Sequence, residues 1–327
     1  MVKTSTLLIL AAIAISFFAT IVLTKTWIRA ARKFGLVGKD MNKLEKKEVA
    51  EAGGIAVLFG FLSGLFFYLF FITFVLESQR NTIEILAAIS ALLMAGFVGF
   101  IDDILGWKSG LKQWQKPLLM LPAAVPLMVT NVGHSTINLP IIGSLNLGII
   151  YPLLFIPLGI MGAANSFNML AGLNGLEAGM GFIIISTLGF VAYATGFAWV
   201  ATIAILFAAA LFAFLLFNKY PAKVFPGDSL TYSTGAFIAV IAIFADMERI
   251  ALFLFIPFIL EFILKARYWF KTESFGTPNF NGTLTPPEKI SSLTHIFMTL
   301  FKTEKRTVLG LYSLEIILAL TAISFYI

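Results

Sequence analysis

The chain has no cysteine, so disulfides, thiolate metal sites and a cysteine nucleophile are all excluded. It is also poor in charge. Asp, Glu, Lys and Arg make up 12% of its 327 residues, against roughly 25% in an ordinary soluble domain. Histidine is nearly absent. His134 has no carboxylate or cysteine beside it and reads as a solvated loop residue, while His295 stands alone. No polar segment exceeds about 45 residues, and there is no obvious repeat, linker or low-complexity stretch. These absences point to a single membrane domain over 1–327.

Apolar sequence fills the space. The chain is 59% hydrophobic with a mean hydropathy of +0.94. About 20 apolar residues suffice to cross a bilayer. About ten such runs occur, at 5–24, 54–76, 83–101, 117–130, 147–164, 180–197, 199–217, 230–245, 250–265 and 308–326. The expected fold is therefore all-α and polytopic. The fourth run is short, and the 180–217 stretch divides near Gly196. The first run lacks a small-residue cleavage site and continues into the basic stretch from Lys25 to Lys33, so it is read as a retained helix.

The alternate loops 25–53, 102–116, 165–179, 218–229 and 266–307, with Lys265, hold 20 of the 23 Lys and Arg residues. Only Lys3, Arg80 and Arg249 fall on the other side. The positive-inside rule predicts cytoplasmic basic loops and both termini outside. Such a face suits anionic lipid headgroups or phosphorylated substrates rather than nucleic acid. Setting topology alone would also explain much of it. The sequon Asn281-Gly282-Thr283 falls on this predicted cytoplasmic side and is discounted.

The polar chemistry lies in those same loops. Asp102-Asp103 ends the third run, and two carboxylates at a membrane boundary are costly unless they bind a cation or face water. Lys108, Lys112 and Lys116 follow, a composition that suits a metal–phosphate site. The loop NSFNMLAGLNGLEAG, 165–179, places Asn165 and Asn168 at i, i+3 on one helix face, beside glycines that allow close backbone approach. Caps and turns would use the same residues. In NKYPAKVFPGDS, Asp228 follows a Pro-Gly turn and is either a helix cap or a metal ligand. The last loop holds Arg267, Lys271, Lys289 and His295, where cations could clamp a pyrophosphate or merely set topology.

Taken together, GKDMNK (38–43), EAGG (51–54), the Asp-Asp string, the asparagine loop and VFPGDS (224–229) resemble the polyprenyl-phosphate N-acetylhexosamine-1-phosphate transferase superfamily over nearly the whole chain. Bacterial members usually carry an aspartate-rich third motif, with Asp-Gly where this chain has Ala171-Gly172. The form here is similar to the eukaryotic and archaeal dolichyl type. The consecutive histidines of the muramyl-pentapeptide translocase are absent, as is the arginine-rich last loop of the eukaryotic enzymes.

The resemblance implies transfer of GlcNAc-1-phosphate from UDP-GlcNAc to a polyprenyl or dolichyl phosphate, with Mg²⁺, or Mn²⁺ in its place. It implies Asn168 and Asp228 as metal ligands and Asp102 and Asp103 as the catalytic pair. It sets Gly172, Asn174 and Phe225 around uracil, and Lys116, with Lys112 as rival, on phosphate. Glu51 matches an acidic position near the sugar phosphate, with Arg267 and His295 as looser matches in the last loop. It allows a homodimer, and places the protein in the cell membrane if archaeal or the endoplasmic reticulum if eukaryotic. The alternatives are another UDP-N-acetylhexosamine, phospho-MurNAc-pentapeptide, or a membrane transporter. A transporter would need polar residues near the midplane, whereas Glu84, Glu261 and Glu315 are read as lying near span ends.

Overall fold

The computed structural model describes residues 2–130, 136–139 and 143–326, and His134 lies outside them. The chain forms helices α1 (Val2–Lys33), α2 (Gly54–Phe74), α3 (Thr82–Ser109), α4 (Gln115–Val129), α5 (Ile156–Met169) and α6 (Leu176–Ala194). It continues through α7 (Ala198–Asn218), α8 (Gly227–Phe244), α9 (Glu248–Leu254), α10 (Ile256–Ala266), α11 (Leu293–Phe301) and α12 (Glu304–Tyr326). Among the described residues, eight helical segments are long and apolar enough to cross a membrane. The other two expected runs are present in altered form. The fourth is α4, only 15 residues long and interrupted by Pro122 and Pro126. The ninth is split at Phe255 into α9 and α10, with Pro257 in the first turn of α10. Proline has no N–H to continue the preceding helix but suits the start of a new one. The division near Gly196 lies where expected: α6 stops at Ala194, and Gly196 turns the chain with φ +92°.

The central element is α8, buried from Ser229 to Phe244. Helices α3 and α5 pack along it, with α2, α6, α7 and α9 completing its surround. Small residues permit the approach. A Cβ at Gly99 of α3 would strike the Asp228 carbonyl, and one at Gly235 of α8 would strike the Ala163 carbonyl of α5. Close backbone contact over small residues is how helices associate where lipid removes the hydrophobic drive. Phe59, Phe66, Phe70 and Phe97 face outward, as a lipid-facing surface requires.

The loops between helices are not structureless. Strands β1 (Val37–Lys39) and β2 (Glu48–Ala50) pair antiparallel, with Val37 opposite Ala50. Ala50 also bridges to Val224. Strands β3 (Thr136–Leu139) and β4 (Gly143–Asn146) form a second hairpin, and β5 (Thr277–Pro278) and β6 (Leu284–Thr285) a third. Thus 38–50, 102–116, 165–177, 224–231 and 274–304 meet at one end of the bundle. Their junctions include Phe225 N–H to Ala50 O at 2.7 Å and Gly276 N–H to Asn42 Oδ1 at 3.2 Å.

One expectation about the spans is corrected. Glu315 lies mid-helix in α12, fully buried, and among the described residues neither carboxyl oxygen has a hydrogen-bond partner. It falls near the middle of the 308–326 run as well, so its place along the chain already set it away from the span ends.

Candidate active site

Three side chains from three helices converge at the loop-rich end. The Lys116 ammonium, in the first turn of α4, is 2.7 Å from Asp102 Oδ2 and 3.0 Å from Asp228 Oδ2. Asp102 is buried near the end of α3, and its Oδ1 accepts from Leu111 N–H at 2.6 Å. That bond closes the turn carrying Lys116 back onto α3. Gly106, with φ +69°, lets the chain leave the helix just after the aspartates. Lys112 is exposed and takes no part.

Asp103 does something different. Its two oxygens accept from Asp228 N–H at 2.6 Å and Ser229 N–H at 3.1 Å. It therefore caps α8 from another helix, satisfying orphan donors at the positive end of the dipole. The sequence left Asp228 as either cap or ligand. In the structure the cap is Asp103, and the Asp228 side chain is turned toward Lys116.

Asn165 and Asn168 belong to the last turns of α5 rather than to a loop. Asn165 donates back to Met161 O, whereas Asn168 Oδ1 accepts from Thr231 Oγ1 at 2.9 Å, one turn along α8 from Asp228. Among the described residues no three His, Asp or Glu side chains gather as a metal cluster. The donors at hand are the Asp102 and Asp228 carboxylates and the Asn168 carbonyl, all hard oxygens. The Lys116 ammonium fills the position between the two carboxylates, and the fit to a metal rests on the hard-oxygen character of the donor set itself. This fits a hard divalent ion such as Mg²⁺, which takes one or two carboxylates and completes its shell with water and substrate phosphate.

A second polar group lies beside it. Gly172 takes φ +102°, with Phe275 against the place a Cβ would occupy. Gly172 N–H donates to the buried Glu177 at 2.7 Å, and its carbonyl accepts from Asn42 Nδ2 at 2.8 Å. Asn174 is buried, donating through Nδ2 to Asp40 at 2.9 Å and through its backbone N–H to Glu304 at 2.8 Å. Lys43 pairs with Glu304, lies 3.3 Å from Asp40, and sits over the Tyr220 ring. Asp40, Lys43 and Glu304 were not singled out from sequence. Their partners are 130 or more residues away, and only the GKDMNK string marked the segment.

The remaining expected residues are more scattered. Phe225 is half-buried beside β2. Glu51 sits at the end of β2 with its side chain over Gly38, and burial raises its carboxyl above the ordinary range. His295, at the start of α11, is buried and accepts from Ser291 N–H through Nδ1 at 3.3 Å. Burial, with the Lys265 charge nearby, holds its imidazole below the usual histidine range. Arg267 lies apart from these contacts. It is exposed at the C-terminal end of α10, over the ring of its neighbour Tyr268, because the helix turns it outward. Lys265 is the cation that turns inward. It donates to Met169 O at 2.6 Å and lies 3.3 Å from the buried Glu261, whose other oxygen accepts from Ser292 Oγ and Leu293 N–H.

Residues 85–246 match the family described as glycosyl transferase family 4. The chain is 42% identical to a Saccharolobus solfataricus protein provisionally named UDP-N-acetylglucosamine–dolichyl-phosphate N-acetylglucosaminephosphotransferase, covering 97% of this chain and 96% of that one. A Sulfolobus acidocaldarius protein of the same provisional name is 38% identical with the same coverage. A phospho-N-acetylmuramoyl-pentapeptide-transferase of Clostridium perfringens is 30% identical over 77% of this chain and 80% of its own.

Proposed function

The chain belongs to glycosyl transferase family 4, and on that footing we propose that it transfers GlcNAc-1-phosphate from UDP-GlcNAc to a dolichyl-type polyprenyl phosphate. The convergence of Asp102, Lys116 and Asp228 carries this reading. It gathers cationic and hard-oxygen groups at the end of a membrane bundle, where a lipid phosphate and a nucleotide diphosphate can meet. A transporter would need a polar path across the bilayer, and among the described residues the buried Glu315 has no hydrogen-bond partner to begin one.

A phosphate oxygen of the lipid attacks the β-phosphorus of the UDP-sugar. A new P–O–P link forms, the bond from the β-phosphorus to the bridging oxygen breaks, and UMP leaves with that oxygen. The second pKa of a phosphate monoester is about 6, so the attacking oxygen is largely deprotonated at neutral pH. No carboxylate base is required. That agrees with the commitments of the pair: Asp103 is engaged with α8, and Asp102 orients Lys116. The aspartates are thus positioning groups in this reading. Lys116 stabilises charge on the transferring phosphates, where fixed electrostatics contribute most. Asp228 and Asn168 would hold Mg²⁺, which when bound neutralises diphosphate charge. Gly172, Asn174 and Phe225 lie on the uracil side. The basic loops, and hence the reaction, face the cytoplasm, with both termini outside. The archaeal relatives favour the cell membrane as its location.

The test is purified protein with UDP-GlcNAc, dolichyl phosphate and Mg²⁺. UMP release should require both substrates and the metal. Asp228→Ala should abolish the metal-dependent release. Full release by that variant, or none by the wild type across a range of polyprenyl phosphates, contradicts the reading.

A further inference from the structure

The amide of Asn174 is oriented by a hydrogen bond at its nitrogen end. Its Nδ2 donates to Asp40 Oδ2 at 2.9 Å. An ionised carboxylate only accepts, so the amide cannot turn its oxygen that way. Asp40 is itself fixed: Oδ1 accepts from Asn42 N–H at 3.2 Å, and Lys43 Nζ lies 3.3 Å from Oδ2. The Asn174 backbone is pinned separately, its N–H on Glu304, which also pairs with Lys43. With NH₂ committed to Asp40, the amide carbonyl points away from it. Asn174 thus presents an acceptor.

We propose that Asp40 is a specificity-determining positioning residue, which locks Asn174 carbonyl-outward and so selects a base with an N–H at N3. This rests on Asn174 meeting the nucleotide base, as read above. Uracil carries a proton at N3 and cytosine carries a lone pair there. An acceptor fixed against N3 bonds the first and repels the second. A site built around a hydrogen bond discriminates strongly because the wrong partner leaves a buried group unpaired.

The Asp40→Asn substitution has a defined consequence. The new amide has one oxygen for the three donors that Asp40 serves, Asn42 N–H, Lys43 and Asn174 Nδ2, so the bond that orients Asn174 is no longer enforced. The Asn174 amide is then free to turn over and present NH₂ outward, which matches cytosine at N3. Glu304→Gln disturbs the backbone anchor and the Lys43 pair but keeps the Asp40 acceptor for Asn174 Nδ2, so it does not release the amide.

The experiment is binding of UMP and CMP to the full-length protein in detergent by calorimetry, with UDP-GlcNAc turnover measured in parallel. Wild type should prefer UMP by about tenfold or more, and Asp40→Asn should cut that ratio at least about tenfold. Glu304→Gln should weaken both nucleotides together and leave the ratio unchanged. A ratio unchanged by Asp40→Asn, with both affinities reduced equally, overturns the lock. Wild type needs no variant for a second check: UMP methylated at N3 should bind at least about tenfold more weakly than UMP. Equal binding overturns the proposal even if Asp40→Asn does not fold. Wild-type turnover with a failed lock removes this inference alone. Neither UMP binding nor turnover in wild type removes the parent reading as well.

Discussion

Lys116 sits between two carboxylates and gives the adjacent aspartates separate tasks. Asp102 touches the ammonium; Asp103 accepts from the first turn of α8. Nothing in an Asp-Asp string says which does which, because the split depends on where α8 begins, more than 120 residues later. Substitution should separate them. Asp102→Asn keeps an oxygen for Leu111 N–H and leaves Lys116 its Asp228 partner, so kcat should fall by on the order of a hundredfold, as when a reacting group is misplaced, with a smaller Tm loss than Asp103→Asn. Asp103→Asn keeps one accepted bond and sets an NH₂ against the other backbone N–H, which weakens the cap at a cost of about 0.5–2 kcal/mol of stability. Tm and kcat should then fall together. Circular-dichroism melts beside steady-state kinetics read both, and equal Tm losses in the two variants would contradict the division.

At the scale of elements, hydropathy located the spans and the break at Gly196, because these depend on local composition. It did not show that α9 and α10 are separate helices, although Pro257 was visible in the middle of the run, since a proline inside an apolar run can also kink one continuous helix. The last loop was least legible. Arg267 was only a loose match there, and helix phase at the end of α10 turns Lys265 inward, a contact the sequence did not indicate. That side chain and Glu261 dock α11, through Ser292, Leu293 and the buried His295. A depressed imidazole pKa has a sign. Below about pH 6.5 the unfolded chain binds a proton that the folded one refuses, so this stability is present above that pH and lost as pH falls. Detergent melts from pH 7.5 to 5 should show Tm falling, with a shallower slope in His295→Gln. An identical slope would contradict the burial of a neutral imidazole.

Across the molecule, five segments far apart in sequence meet at one end, and α8 organises them. Its start carries Asp228, receives the Asp103 cap, and follows the strand-like Val224 contact with Ala50. The alternation of basic loops indicated which segments share a side. It carried no information on which side chains touch, since the pairs are set by packing over more than a hundred residues. The resemblance proposed the site's positions, and the geometry brings Asp102, Lys116 and Asp228 together among them. The most direct measurement of the whole scheme uses UDP-GlcNAc labelled with ³²P at the β-phosphate and ³H in the sugar. Reaction with dolichyl phosphate should give a lipid product holding both labels in equal proportion, with unlabelled UMP released. A lipid product with ³H alone and labelled UDP in solution would mean sugar transfer without its phosphate, and would contradict attack at the β-phosphorus.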